Sequence, residues 1–399
     1  MANVLFLSIP SHGHVNPSLG LVSELVRQGE KVIYFSSDEF KEKIERTGAV
    51  FKRFNEDLNL FGSDDMGGLL DSLHRVIKAS GSIIEDIFQQ TADLKLDYMI
   101  YSTAFPFGEV IAGILRIPSV STFPVFAGLK EMLDDSHESD EDQIAPFQEV
   151  LDTYKAVSRT IEETYSVKMP DRMMHLMFNR GDLNLVYTSK YFISKSDLEI
   201  FDDSFQFIGP PVYDRKENLD FPFDRLEGKK VIYISLGTVF GNYNPALYDL
   251  FFKSFADWDA VVVMAAYKVD LSPFSIPDNF IVRNYVPQTE ILKYADAAIT
   301  HAGMNTISDL MYHQVPFVAI PMGADQHGMA KRAEELGAAI SLDSRTLTPE
   351  VLTHSLEKVL EDPGYLENMR KISHSFKEAG GYKKAVDEIF KLKKKNGLE

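Results

Sequence analysis

The chain has 399 residues, 45% of them hydrophobic, with 28 Phe and 17 Tyr, which exceeds one typical core and suits two domains of roughly 200 residues each. A formal charge of -18 argues against nucleic acid or anionic membrane as partner, because both call for basic surface. With no cysteine, there is neither a disulfide framework nor a thiolate site; with no basic leader and no apolar run near the roughly 18 residues of a membrane span, the expectation is a soluble, cytoplasmic protein.

Residues 4–9 are an apolar run of buried-strand type, residues 16–28 carry Leu19, Leu21, Val22, Leu25 and Val26 at helical spacing before Gly29, and residues 31–35 are apolar again. This spells strand, helix, strand. Between the first two lies Ser11-His-Gly-His14-Val-Asn-Pro17. Asn16 as helix cap and Pro17 as first helical residue account for part of it, but not for two histidines. A histidine after a first strand is placed to face a crevice, and with a reference pKa of about 6.5 it accepts a proton near neutrality. His14 is preferred over His12 as that base. Residues 98–101 read as a strand ending at Ser102, and Phe105, Phe107, Phe123 and Phe126 fall in loops after strands of this half, where they are expected to offer an apolar surface to an acceptor. From residue 128 to about 180 the chain is acidic (Asp134-Asp-Ser-His-Glu-Ser-Asp-Glu-Asp142) and then helical in pattern, as for an inserted lid or acceptor-side element. Asp140 and Asp142 have an Asp-x-Asp spacing that a solvated loop explains, and no zinc spacing is present, so no metal is expected.

Ile208-Gly-Pro-Pro211 and Asp220-Phe-Pro-Phe223 mark a linker, after which the opening pattern restarts: strand 230–235, a turn at Gly237, helix 245–255, strand 260–265. The expected partition is an α/β domain over residues 1–210, a linker over 211–228, a second α/β domain over 229–375 and a closing helix over 376–399. Lys391 and Lys393 to Lys395 are read as complementing that helix's C-terminus. Ser235-Leu-Gly-Thr238 ends the restarting strand; Gly237 permits close backbone approach, and the hydroxyls of Ser235 and Thr238 can donate to phosphate oxygens. Neither classical glycine-rich nucleotide fingerprint occurs. Instead, Tyr285-Val286-Pro-Gln288, His301-Ala-Gly303-Met-Asn305-Thr306 and Asp325-Gln326 describe a pocket for a nucleotide diphosphate carrying a sugar. A strand over 297–300 ends, turns on glycine and opens a helix over 304–313, whose first N–H groups aim partial positive charge at an anion. Tyr285 offers a ring to a base, Gln288 an amide, His301 a donor to phosphate, and Asn305 with Thr306 serve as caps and phosphate donors. Asp309 stands one turn beyond Asn305 to accept from ribose, and Asp325 with Gln326 can bind sugar hydroxyls.

These segments resemble the family 1 glycosyltransferases that use UDP-sugars, in particular the macrolide and flavonoid glucosyltransferases of bacilli, over nearly the whole chain. The resemblance implies a GT-B architecture: two Rossmann-like domains facing across a cleft, the acceptor on the amino-terminal half, the UDP-sugar on the other, and a closing helix that crosses back. It makes His14 the base and His301 the diphosphate histidine. Asn305 and Thr306 become α-phosphate contacts, Gln288 and Asp309 ribose contacts, and Asp325 with Gln326 readers of glucose. Two departures stand out: the ribose glutamate is Asp309, and Ser102 stands where the family commonly has the aspartate that orients and charges the histidine. A hydroxyl hydrogen-bonds imidazole without stabilising imidazolium by charge, which favours acidic acceptors such as phenols. The expected reaction is an inverting, metal-independent transfer of a hexose from a UDP-sugar to a hydroxyl. Competing readings are a UDP-sugar epimerase or hydrolase, which would consume donor without acceptor, and a nucleotide-sugar binding protein that has lost turnover.

Overall fold

Apolar runs buried on both faces pair most readily as parallel strands covered by helices, and the chain does this twice. The computed structural model describes residues 1–58, 60, 66–124, 145–213, 219–237, 244–323 and 325–398. The first sheet contains β1 (Asn3–Leu7), β2 (Lys31–Ser36), β3 (Val50–Arg53), β4 (Tyr98–Ser102), β5 (Ser119–Phe123), β6 (Leu183–Val186) and β7 (Phe205–Phe207). Its order is β3-β2-β1-β4-β5-β6-β7, every pair parallel. The second contains β8 (Val231–Ser235), β9 (Val261–Ala265), β10 (Phe280–Arg283), β11 (Ala297–Thr300), β12 (Phe317–Ala319) and β13 (Ala339–Ser341). Its order is β10-β9-β8-β11-β12-β13, again all parallel. In each sheet the chain runs outward from a central strand and returns to that strand's other side. The reversal points, between β1 and β4 and between β8 and β11, are where loops leaving the carboxyl ends diverge and leave a crevice.

The chain divides into two compact units: Met1–Tyr187 with Lys195–Pro211 and Gly380–Glu399, and Thr188–Ser194 with Val212–Ala379. Leu5, Leu7, Ile33, Met99 and Tyr101 lie in the core of the first, and Ile232, Ile234, Val262, Met264 and Ile299 in that of the second. Among the described residues, no helix is long and apolar enough to cross a membrane. The acidic stretch from Asp134 to Asp142 lies outside the described residues, while the helical pattern after it is the helix Ala145–Tyr165.

The first helix corrects one expectation. It spans His12–Arg27, with Ser11 in the cap position and Asn16 and Pro17 inside it. The carbonyl of Ser11 already accepts from the N–H of Val15 at 2.9 Å, so the turn closes one step ahead of the Asn-Pro signal. Pro17 brings no N–H for the carbonyl four residues back, and that loss falls in the second turn, at exposed Gly13.

The closing helix, Gly381–Lys395, belongs to the first unit. Its entry is fixed by the N–H of Gly381 donating to the carbonyl of Ile208 at 2.7 Å. Tyr382 then lays its ring against the first helix where Gly20 leaves room, since a Cβ on Gly20 would stand 2.1 Å from that ring. Its hydroxyl donates to the carbonyl of Pro17 at 2.8 Å. At the far end Lys393 departs from the helix-terminus reading: its Nζ lies 2.6 Å from Oε1 of Glu30, whose side chain is buried at 3% exposed, while that of Lys393 is mostly covered at 11%. The other oxygen of Glu30 accepts from the hydroxyl of Tyr98 at 3.1 Å. Removing one partner of a buried ion pair leaves the other charge uncompensated. Lys393→Met is therefore expected to cost about 3 kcal/mol, read as a lowered denaturant midpoint for the first unit. A loss below about 0.5 kcal/mol, the range of ordinary surface substitutions, would show that the pair is not an anchor.

Candidate functional site

In the first unit the parallel register sets Leu7 of β1 beside Tyr101 of β4, so the residues that follow them emerge together at the reversal point. His14, in the opening turn of the first helix, meets Ser102 at the end of β4: Nδ1 lies 2.7 Å from the hydroxyl oxygen. Ser102 is 2% exposed; the imidazole keeps a partly exposed edge. Desolvation pushes the His14 pKa down from 6.5 to about 4, and the ring is neutral at pH 7. His12 turns elsewhere, its Nε2 3.2 Å from Oε1 of Glu39 and its ring edge-on to Phe40 at 5.1 Å. The two histidines are thus separated by partner.

Three of the four rings expected at an apolar acceptor surface are buried in the fold instead. Phe105 and Phe107 have no exposed surface and sit in the core, Phe105 against Phe54 at 5.8 Å. Phe123, at the end of β5, packs edge-on against Phe205 at 5.2 Å. A bulky ring that leaves a strand end is drawn into the nearest apolar layer, and these three stabilise the fold instead of facing a substrate. Phe126 lies outside the described residues.

In the second unit β8 and β11 are neighbours, with Ser235 beside Thr300, and the same logic delivers Ser235, Gly237 and His301 to one place. The imidazole of His301 is wedged between two glycines. A Cβ on Gly237 would stand 2.4 Å from Cε1 and Nε2, and one on Gly303 2.4 Å from Nε2. Gly237 also needs its φ of +78°, open to glycine at no steric cost. Thr238 lies outside the described residues. Ala302, between the histidine and Gly303, is a non-glycine residue at φ +69°, and its N–H donates to the Thr300 hydroxyl at 3.2 Å. This left-handed residue swings the chain from the strand into the helix Met304–His313 and is strain stored at a site.

Gly303 is the cap residue and no side chain caps the helix, which corrects the capping role expected of Asn305 and Thr306. The N–H groups of Met304, Asn305 and Thr306 have no acceptor within the helix. Beside them, Nδ1 of His301 and Oδ1 of Asn305 are buried without a hydrogen-bond partner. The amides and an Nδ1–H of His301 are donors of the kind an anion meets, whereas Oδ1 of Asn305 is an acceptor and suits a hydroxyl. Burial pushes the His301 pKa down to about 4 against the opposing pull of the Ser235 carbonyl, so this ring meets an anion as a neutral donor.

Around that centre, Gln288 opens the short helix Gln288–Ile291 and donates from Nε2 to Oδ2 of Asp309 at 2.7 Å. Asp309 is 3% exposed, a held carboxylate and not a solvated face. Tyr285 is half-buried in the loop after β10, and Val286 beside it is a buried side chain. Gln326 is buried and folds back, its Oε1 accepting from the N–H groups of Met322 at 2.8 Å and Gly323 at 3.2 Å. Asp325 holds the cap position of the helix Gln326–Glu335, and burial raises its pKa to about 6. Sequence reasoning misses Tyr233, whose hydroxyl donates to Oε1 of Gln288 at 2.9 Å; a tyrosine inside an apolar run carries no signal beyond core. Among the described residues no three His, Asp or Glu side chains gather into a metal site.

Residues 225–380 match the family model described as UDP-glucoronosyl and UDP-glucosyl transferase. The uncharacterized UDP-glucosyltransferase YojK of Bacillus subtilis is 34% identical over 409 residues, covering 99% of this chain and 98% of its own. The oleandomycin glycosyltransferase of Streptomyces antibioticus is 26% identical, with 97% of this chain and 90% of its own covered. Among solved structures, the glycotransferase of kitacinnamycin superimposes with a TM-score of 0.83 at 24% identity, over 97% of this chain and 98% of that one.

The two depressed imidazoles predict a pH dependence of stability. Between a folded pKa of about 4 and an unfolded value of 6.5 the unfolded chain binds more protons, so this contribution is fully present above about pH 6.5 and is lost as pH falls toward 4. Denaturant midpoints should fall over that window. His301→Asn should flatten the fall for the second unit, and an unchanged slope would contradict a neutral, buried ring.

Proposed function

The chain belongs to the UDP-glucuronosyl and UDP-glucosyl transferase family, and on that premise we propose that it moves a hexose, glucose in the first place, from a UDP-sugar to a hydroxyl of an apolar small molecule such as a flavonoid, another phenol or a macrolide. The transfer inverts the sugar and needs no metal. It is a glycosyltransferase of GT-B fold, and what remains for proposal is the sugar, the acceptor and the chemistry.

The donor half of this reading is supported above all by the unpartnered pair, His301 Nδ1 and Asn305 Oδ1, beside the free amides of a helix opening. A diphosphate accepts from those amides and from Nδ1–H of His301, while Oδ1 of Asn305, itself an acceptor, is left for a hydroxyl of the sugar nucleotide; the aligned N–H donors stabilise the charge that develops on the diphosphate as it leaves. Gln288 and Asp309 then meet the ribose, Tyr285 the base, and Asp325 the sugar hydroxyls. On the acceptor side, His14 is the base. In the tautomer whose Nδ1–H donates to Ser102, Nε2 is unprotonated and takes the acceptor's proton. The acceptor oxygen forms its bond to C1 of the sugar while the bond from C1 to the phosphate oxygen breaks, and UDP departs with that electron pair. One protein base suffices, unlike the paired carboxylates of a glycosidase. Because Ser102 carries no charge, the imidazolium formed on the way is poorly supported, and acceptors that ionise easily are favoured.

With UDP-glucose and a flavonol, His14→Ala should lower turnover by at least about 100-fold while UDP binding persists, measured by product mass and calorimetry. Near-native turnover would remove His14 as base, and UDP release independent of acceptor would point to a hydrolase. Ser102→Asp restores a carboxylate beside the ring. It should raise turnover on weakly acidic alcohols by about tenfold, the effect of roughly 1.4 kcal/mol on the barrier; no gain would mean that Ser102 is not the partner that limits the base.

A further inference from the structure

Tyr233 sits in the middle of β8, flanked in the sheet by Val263 of β9 and Ala298 of β11, and is 1% exposed. A phenol so placed needs a partner for its hydroxyl. It finds Oε1 of Gln288 at 2.9 Å, and Nε2 of the same amide donates to Oδ2 of Asp309 at 2.7 Å. The three residues come from a central strand, the first turn of one helix and the body of another. A side-chain amide has two orientations of nearly equal shape. A donor at one end and a carboxylate at the other leave it only one. Both bonds also run in the same sense, so each polarises the next.

We propose that Tyr233 is a positioning residue for nucleotide recognition: its hydroxyl locks the Gln288 amide and through it holds the Asp309 carboxylate where the ribose hydroxyls of the donor reach it. This rests on the donor-site reading above, in which Gln288 and Asp309 meet the ribose. In this proposal the hydroxyl of Tyr233 acts on the site through the Gln288 amide. A tyrosine that only filled the core would, on losing its hydroxyl, weaken every ligand of the site alike. A positioning tyrosine weakens only ligands with the hydroxyl that the carboxylate reads.

The experiment compares UDP with 2′-deoxy-UDP by calorimetry on the full-length protein, using Tyr233→Phe, Gln288→Met and the double variant, each checked for folding by thermal denaturation. The wild type is expected to prefer UDP by about tenfold, as one hydrogen bond to a charged group gives. Tyr233→Phe keeps the ring in the sheet and should bring that ratio to about twofold, with 2′-deoxy-UDP binding almost unchanged; the KM for UDP-glucose rises while kcat holds. Gln288→Met should give the same collapsed ratio, and the double variant no further loss, because the two act in series. An unchanged ratio in Tyr233→Phe, equal weakening of both nucleotides, additive losses in the double variant, or a wild type that binds both nucleotides equally would each overturn the proposal. Failure of the wild type to bind UDP at all would instead overturn the donor-site reading beneath it.

Discussion

The 2.7 Å contact between His14 and Ser102 is where the sheet order of the first unit becomes chemistry. The residues are 88 positions apart, and only the parallel adjacency of β1 and β4 brings them together. What the contact supplies is orientation without charge. A carboxylate there would raise the pKa of the ring and support its protonated form; a hydroxyl does neither, and desolvation is left to dominate. The result is a ring that is neutral at working pH and reluctant to become imidazolium. The proposed preference for acidic acceptors follows from that reluctance.

The second unit repeats the topology with a different outcome. Its reversal point gathers main-chain N–H groups and one neutral imidazole, with glycines at 237 and 303 admitting the ring and a left-handed Ala302 turning the chain. The chain carries a formal charge of -18, so its overall field repels a diphosphate. In the proposed function attraction is therefore local, from amides whose dipoles are fixed in place and from a donor that does not depend on being charged. In the proposed function the imidazole of one unit is the base and that of the other a hydrogen-bond donor, although burial depresses both by the same mechanism.

How much of this is legible in the sequence depends on whether a residue's role is local. The strands over 297–300 and 98–101, the helix over 304–313 and the restart at 230–235 follow from short-range periodicity and glycine punctuation. The strand-end place of His14 is legible because two histidines after a first strand exceed what a turn needs, while Ser102 is singled out only by the family resemblance, and the structure sets the two 2.7 Å apart. The roles of Phe105, Phe107 and Phe123 are not, since whether a ring at a strand end faces solvent or core depends on packing that spacing does not encode. The start of the first helix is misread for a related reason: Asn16-Pro17 carries a real local preference, and tertiary packing overrides it in favour of Ser11. Tyr233, Glu30 and Lys393 stay silent in sequence, because each acquires its meaning only from a partner brought by the fold, at separations of 55 and 363 residues.

A uniform series of para-substituted phenols, with acidities from about pKa 7 to about pKa 10 and an aliphatic alcohol beyond them, tests the central claim most directly. With UDP-glucose saturating at pH 7, a neutral His14 backed by a hydroxyl predicts that kcat/KM falls steeply as the acceptor's pKa rises, with the alcohol slowest of all. A flat dependence, with the alcohol turned over as fast as the phenols, would contradict it and require a charged partner for His14.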